Sequence, residues 1–258
     1  TMYAIIVILA ILAPVVTSYD PTAMSMSEAL DPPSMAHICG TDEFGRDVFT
    51  RIIYGARVSL VISMSVLVCC GVVGSILGLL SGYYKWADTI IMRIMDGLMA
   101  FPTVILALVI LTVLGNGIPN LVLALTITQT PRVVRTVRTT VISAKELEHV
   151  EAARAMGASN LRIMLQYIFP LCVSPLIIRL TLTAALTVLN EASLTFLGVG
   201  LPPDTASWGV ILSEARQFIT TSPYLIYLPG IAIVWCVLSL NLLGDGLRDA
   251  LDPKLSRH

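Results

Sequence analysis

Residues 58–82 read VSLVISMSVLVCCGVVGSILGLLSG, a stretch without a single charged side chain. A helix crossing the hydrocarbon core of a bilayer needs about 20 apolar residues, so this segment alone is long enough to span. It carries Gly74, Gly78 and Gly82 four residues apart, the small-xxx-small spacing that lets helices approach closely, and we read it as a packing seam. Outward from it, further apolar runs lie at about 2–17, 90–114, 118–137, 171–197 and 224–243. Six spans would take on the order of 120 residues, about half the chain. The predicted fold class is therefore all-α, a polytopic transmembrane helical bundle of six spans in one domain over 1–258. Composition agrees: 56% of the 258 residues are hydrophobic and 13% charged, against about 25% charged in an ordinary soluble domain, which excludes a soluble globule.

The runs differ in quality. The uninterrupted part of the fourth, 118–130, would be only ~20 Å long as a helix, so it must continue past Pro131 and bring Arg132 and Arg135 near the interface, where they can snorkel to water. The first run opens at Thr1 with no initiator methionine, which predicts a truncated span preceded by a short cytoplasmic segment. Six spans place both termini on one side. Sorting lysine and arginine by face puts Lys85, Arg93, Arg132, Arg135, Arg138, Lys145, Arg154, Arg162, Arg248, Lys254 and Arg257 on one side and Arg46, Arg51, Arg57 and Arg216 on the other. The richer side belongs in the cytoplasm, termini included. A net charge of −1 offers no surface for nucleic acid.

Of the five cysteines, Cys69, Cys70, Cys172 and Cys236 lie in apolar runs and read as buried small hydrophobes; Cys39 alone sits in a polar stretch. No disulfide framework follows, and none pairs with His37, His149 or His258 at metal-ligand spacing. The scattered methionines read as core. The external segments, about 18–57 and 198–223, are rich in proline, glycine and short polar residues and read as structured caps or short interfacial helices.

The cytoplasmic segment of about 138–170 is long for a connection that only returns the chain. Within it, Lys145 to Met156 reads KELEHVEAARAM, an amphipathic helix with Leu147, Val150, Ala153 and Met156 on one stripe. Gly157 can end that helix in a left-handed turn, and Ser159 can cap a second one whose Leu161, Met164, Leu165 and Ile168 share a face and which Pro170 ends. Such a helix-corner-helix knob either docks a partner or lies on lipid headgroups; Glu146, Glu148 and Glu151 disfavour anionic lipid.

Glu151-Ala152-Ala153, Gly157 and Ile168-Phe169-Pro170 resemble the EAA loop of type I ABC importer permeases, the coupling segment that inserts into a groove on the ATPase subunit. Tyr167 and Phe169 stand where the short consensus has isoleucine and leucine. Gly40-Thr41-Asp42-Glu43-Phe44-Gly45-Arg46-Asp47 is similar to the GTDxxGRD signature of the "C" permease in the dipeptide, oligopeptide and nickel family, although composition alone reads it as a turn-rich loop. The stretches 191–198, 206–209 and 244–253 resemble that subunit's later signatures in the same order. The resemblance implies a short-peptide importer, with a nickel or metal-chelate importer as the alternative. It implies as partners a second, different permease, two cytoplasmic ATPase subunits and an extracytoplasmic substrate-binding protein in a prokaryotic inner membrane. It also assigns coupling to Glu151, Ala152, Ala153, Gly157 and Pro170.

No G-x-x-x-x-G-K-[ST] phosphate loop occurs, so ATP and magnesium belong to partner subunits and this chain holds no cofactor. It is no enzyme either: no span carries a G-x-S-x-G elbow or an H-E-x-x-H pair. Ionisable residues at membrane depth are functional candidates by default. Asp96, Arg179 and Glu191 qualify. Asp96 precedes a helix kink at Phe101-Pro102, where it can line a translocation path or bond a neighbouring helix, with Arg179 as a partner inside the bundle; the structural bond is the favoured reading. A self-sufficient channel or secondary transporter would show inverted repeats or interrupted helices, and neither is read here.

Overall fold

The structure, a computed structural model, describes residues 2–251. Its helices are α1 (Met2–Ile11), α2 (Ala13–Val16), α3 (Val48–Tyr83), α4 (Lys85–Met99), α5 (Thr103–Leu114), α6 (Ile118–Ala144), α7 (Glu148–Ala155), α8 (Asn160–Arg162), α9 (Phe169–Phe196), α10 (Trp208–Ala215) and α11 (Tyr224–Leu251). Among the described residues the only β feature is one antiparallel bridge, between Thr41 and Asp47. Asp252, Pro253, Lys254, Arg257 and His258, used above in the last signature, the charge count and the histidine spacing, lie outside the described residues.

Three helical stretches are long and apolar enough to cross a membrane: Val48–Tyr83, Asn160–Phe196 and Tyr224–Ala250. A fourth crossing is gained if α4 and α5, which meet at 93°, form one broken span. The six crossings expected from the apolar runs are not all reached. α1 has 10 residues, ~15 Å of helix. α6 does continue past Pro131, but Arg132, Arg135 and Arg138 dilute its apolar character. The continuous helix expected over 90–114 is instead two helices, and the chain does contain an interrupted one. Pro102 lacks an N–H and pushes Phe101 out of the helical region, so α4 must stop before them.

Pro170 does not end the helix that follows Gly157. Between α8 and α9 the residues Ile163–Ile168 form a π-helical stretch, closed by the Phe169 N–H bonding to the Met164 carbonyl, and the helix runs on from 160 to 196. A π turn absorbs the residue whose i→i−4 bond the following proline cannot make.

The chain divides into two compact units. The first gathers the chain up to Ser65 with Ala107–Leu125 and Ala185–Leu240. There α3 begins beneath an irregular loop, and α10 packs Trp208 against it: Trp208 is 2% exposed and its indole N–H donates to the Ile52 carbonyl at 2.9 Å. The second gathers Val66–Leu106 and Thr126–Ala184 with the chain from Asn241. Its seam is the glycine series: a Cβ on Gly74 would meet Val133, one on Gly78 would meet Val137, and one on Gly82 would meet Val141, each side-chain Cβ within 2.8 Å. The spacing seen in sequence is thus a ridge of three valines on α6 seated in a glycine groove on α3.

Candidate functional site

The GTDEFGRD stretch folds into a charged knot in the first unit. Gly40 and Gly45 take φ of +75° and +72°, the left-handed turns that glycine adopts without strain. Asp42 accepts from the Phe44 and Arg46 amides at 2.9 and 3.0 Å, and Asp47 caps α3 by accepting the Thr50 N–H at 2.7 Å. The other Asp47 oxygen lies 2.9 Å from His37 Nδ1. The Thr41 hydroxyl donates to the Glu28 carbonyl. Asp42 Oδ2 then receives Arg46 Nε at 2.6 Å and Arg51 Nη1 at 2.5 Å. Glu214 of α10 receives the same two guanidinium groups at 2.9 and 2.7 Å. The result is a neutral quartet, two arginines and two carboxylates, with the Arg51 side chain 2% exposed. Beside it, burial first and the charge of Glu214 second push the Glu43 carboxyl above its ordinary range. Arg51 and Glu214 are not legible as site residues in the sequence, because 163 positions separate them and no local spacing links the two.

The helix-corner-helix segment expected to couple to an ATPase lies in the second unit, after α6. Val150 and Ala153 are buried, whereas Glu151 and Ala152 are exposed. Gly157 has φ +83°, and the Gly157 N–H bonds to the Arg154 carbonyl while the Ala158 N–H reaches Ala153. That pair of bonds is a Schellman cap, which glycine at this position favours. Ser159 accepts from the Arg162 N–H at 3.4 Å and starts α8, as its place before the second helix predicts. Two features depart from the expected stripes. Leu147 and Met156 are 42% and 78% exposed, at the ends of a helix too short to bury them. In the second helix Ile163, Met164 and Ile168 are buried while Leu161 and Leu165 are exposed, because the π stretch rotates the face that an α-periodic reading assumes. The knob therefore presents Ala152, Met156, Gly157 and Leu161 outward with Glu148 and Glu151 beside them. Pro170 is also exposed, though inside a continuing helix.

The three candidate intramembrane charges are not brought together. Asp96 bonds to Arg135 of α6 at 2.6 Å, each side chain about half exposed, so the expected partner Arg179 is displaced by an arginine on the neighbouring element. Asp88, two turns earlier on α4, takes Arg138 through two bonds of 2.5 and 2.8 Å. Glu191 is fully buried in the first unit and takes the Ser59 hydroxyl at 2.9 Å, with Thr195 and Ser207 also bonded to it. Arg179 lies midway along the 160–196 helix, in the second unit, and its Nε is buried without an acceptor. Of the cysteines, Cys69 is exposed, against expectation, while Cys70, Cys172 and Cys236 are buried.

Comparison with known proteins places this geometry. Residues 72–257 match the family model described as binding-protein-dependent transport system inner membrane component. A putative peptide transport system permease protein of Brucella suis is 45% identical over 251 residues, 97% of this chain and 85% of that protein. The dipeptide transport system permease protein DppC of Alkalihalophilus pseudofirmus is 43% identical over 250 residues, 96% of this chain and 82% of that one. A chain of the inward-facing MetNI methionine ABC transporter superposes with a TM-score of 0.65 at 20% identity, covering 78% of this chain and 96% of its own; that likeness speaks for the fold. With the long apolar helices and the helix-corner-helix segment that follows α6, these matches establish that the chain belongs to the family of binding-protein-dependent transport system inner membrane components.

Proposed function

We propose that this chain is one of two non-identical permeases in an ATP-driven importer of short peptides, set in a prokaryotic inner membrane with both termini cytoplasmic. Two cytoplasmic ATPases drive it, and an extracytoplasmic binding protein delivers the peptide. The names of the relatives above, peptide and dipeptide permeases, support the substrate class. The observation that carries the mechanism is the knob after α6. Its glycine-capped corner exposes Met156 and Leu161, at 78% and 63%, among the exposed charges of Glu148, Glu151, Arg154 and Arg162, an apolar tip with a charged rim suited to a groove on another protein. Because the helix from 160 to 196 is unbroken, a push on the corner is delivered along one hydrogen-bonded rod into the membrane. The chain's own part is mechanical; bond chemistry stays with the ATPases.

Purification in mild detergent from the native membrane, followed by mass spectrometry of what accompanies the chain, tests this reading. A second permease and ATPase subunits are expected. Recovery of the chain alone, active in liposomes without ATP, would overturn it.

A further inference from the structure

Helix α4 differs from α5, the helix after it, in composition and in direction. Four of its 15 residues are charged, and it meets α5 at 93°. α5 carries no charged residue and exposes Ile105, Val109 and Val113 along one row, the character of a helix set in hydrocarbon. A helix at right angles to one standing in a bilayer runs along the membrane plane. At ~22 Å and with four charges, α4 is neither long nor apolar enough to cross on its own.

The uncovered side of α4 is sorted into two adjacent rows. Trp86, Ile90 and Ile94, four residues apart, are 68%, 56% and 55% exposed. Lys85, Thr89 and Arg93 are exposed beside them, each one residue earlier and so about 100° around the helix. The charges of α4 do not cancel at this surface. Asp88 is held by Arg138 through two bonds and Asp96 by Arg135, so α6 neutralises both acids. Among the described residues Lys85 and Arg93 take part in no ion pair. Just before the apolar row the rings of Tyr83 and Tyr84 stand 4.9 Å apart and those of Tyr84 and Trp86 6.3 Å apart, residue types that collect at membrane–water interfaces.

An apolar row alone would suit lipid or another subunit equally, and the charge decides between them. Unpaired cations alongside tryptophan and isoleucine fit a surface that offers hydrocarbon and phosphate together. The lysine and arginine stems lie along the apolar boundary while their heads reach the anionic layer. We propose that α4 lies in the headgroup layer of the membrane and binds anionic phospholipid, with Trp86, Ile90 and Ile94 in the acyl boundary and Lys85 and Arg93 on phosphates. Lipid is then a structural partner of the importer, whatever cargo it carries. The helix is tied to both sides of the glycine corner: its acids hold α6, and Tyr83, two residues before it, donates its hydroxyl to Asn160 Oδ1 at 2.8 Å. Anchoring α4 therefore sets the depth of the two helices that frame the corner.

The test uses the complete importer carrying Ile90→p-benzoylphenylalanine, reconstituted in vesicles of equal parts phosphatidylglycerol and phosphatidylcholine. The vesicles are irradiated, and mass spectrometry identifies what has joined position 90. Phospholipid adducts are expected, with phosphatidylglycerol favoured, and K85Q/R93Q should lower that preference about fivefold for each cation removed. An adduct with the second permease or an ATPase overturns the proposal and assigns the row to a protein interface. Phospholipid adducts without preference, or with a preference that K85Q/R93Q leaves unchanged, overturn it as well. So does photolysis that joins position 90 to neither lipid nor protein, the outcome for a row that faces water.

Discussion

Gly157 and Arg51 show how much one residue can decide. Gly157 combines φ +83° with an N–H that bonds to Arg154, and nothing lies within 4 Å of where a Cβ would stand. Alanine there meets no clash, only the backbone strain of about 1 kcal/mol that a left-handed L-residue carries. Proline can neither adopt that φ nor donate that bond. G157A should therefore retain most peptide uptake and G157P should abolish it while the chain still reaches the membrane; equal activity in both would remove the corner from the coupling mechanism. Arg51 touches both carboxylates of the quartet, its side chain 2% exposed. R51M leaves two buried acids with one guanidinium, and breaking a buried pair from one side costs about 3–5 kcal/mol. Its melting temperature in detergent should fall well below that of wild type, whereas R57M should fall much less. Sequence alone identified Gly157 because helix formers before it and a capping serine after it leave one residue for the corner. It could not identify Arg51 with Glu214, since 163 positions separate them and only the packing of α10 brings them together.

At the scale of elements, periodicity revealed long apolar helices but not where they bend. The glycine series was legible because four-residue spacing is local, and so was the continuation of α6 beyond its proline. The π stretch was not, because Ile163–Ile168 has the composition of any apolar α-helix; only the register of its bonds differs. The same limit hid the partner of Asp96. The break after α4 sets that helix at 93° to α5 and lines its acids up with the arginines of α6. The seam between α3 and α6 makes its own prediction. G78L must displace Val137 or part the helices, an overpacking cost of about 1–3 kcal/mol. Gly97, with nothing within 4 Å of its missing Cβ, should accept alanine with no loss and a small gain in helix propensity. Thermal unfolding of the two variants should rank G97A well above G78L, and the reverse order would mean the seam is not close-packed.

For the whole molecule, the orientation proposed above rests on eleven lysines and arginines against four, by the residues named in the sequence. In a chain whose own cysteines have been replaced, M35C should react with an impermeant maleimide added outside intact spheroplasts and M156C only after the membrane is opened. Labelling of M156C from outside would invert the molecule. Both methionines are well exposed in the chain itself, at 103% and 78%, so in the chain expressed without its partner subunits a failure to label reports side and not burial. The glycine-valine seam has a consequence for how such a molecule moves. Val133, Val137 and Val141 sit in their three notches with no clearance, so the inner stretches of α3 and α6 are meshed tooth for tooth and share one degree of freedom where two loose helices would have two. Any torque that reaches α6 from the knob at its end turns α3 with it.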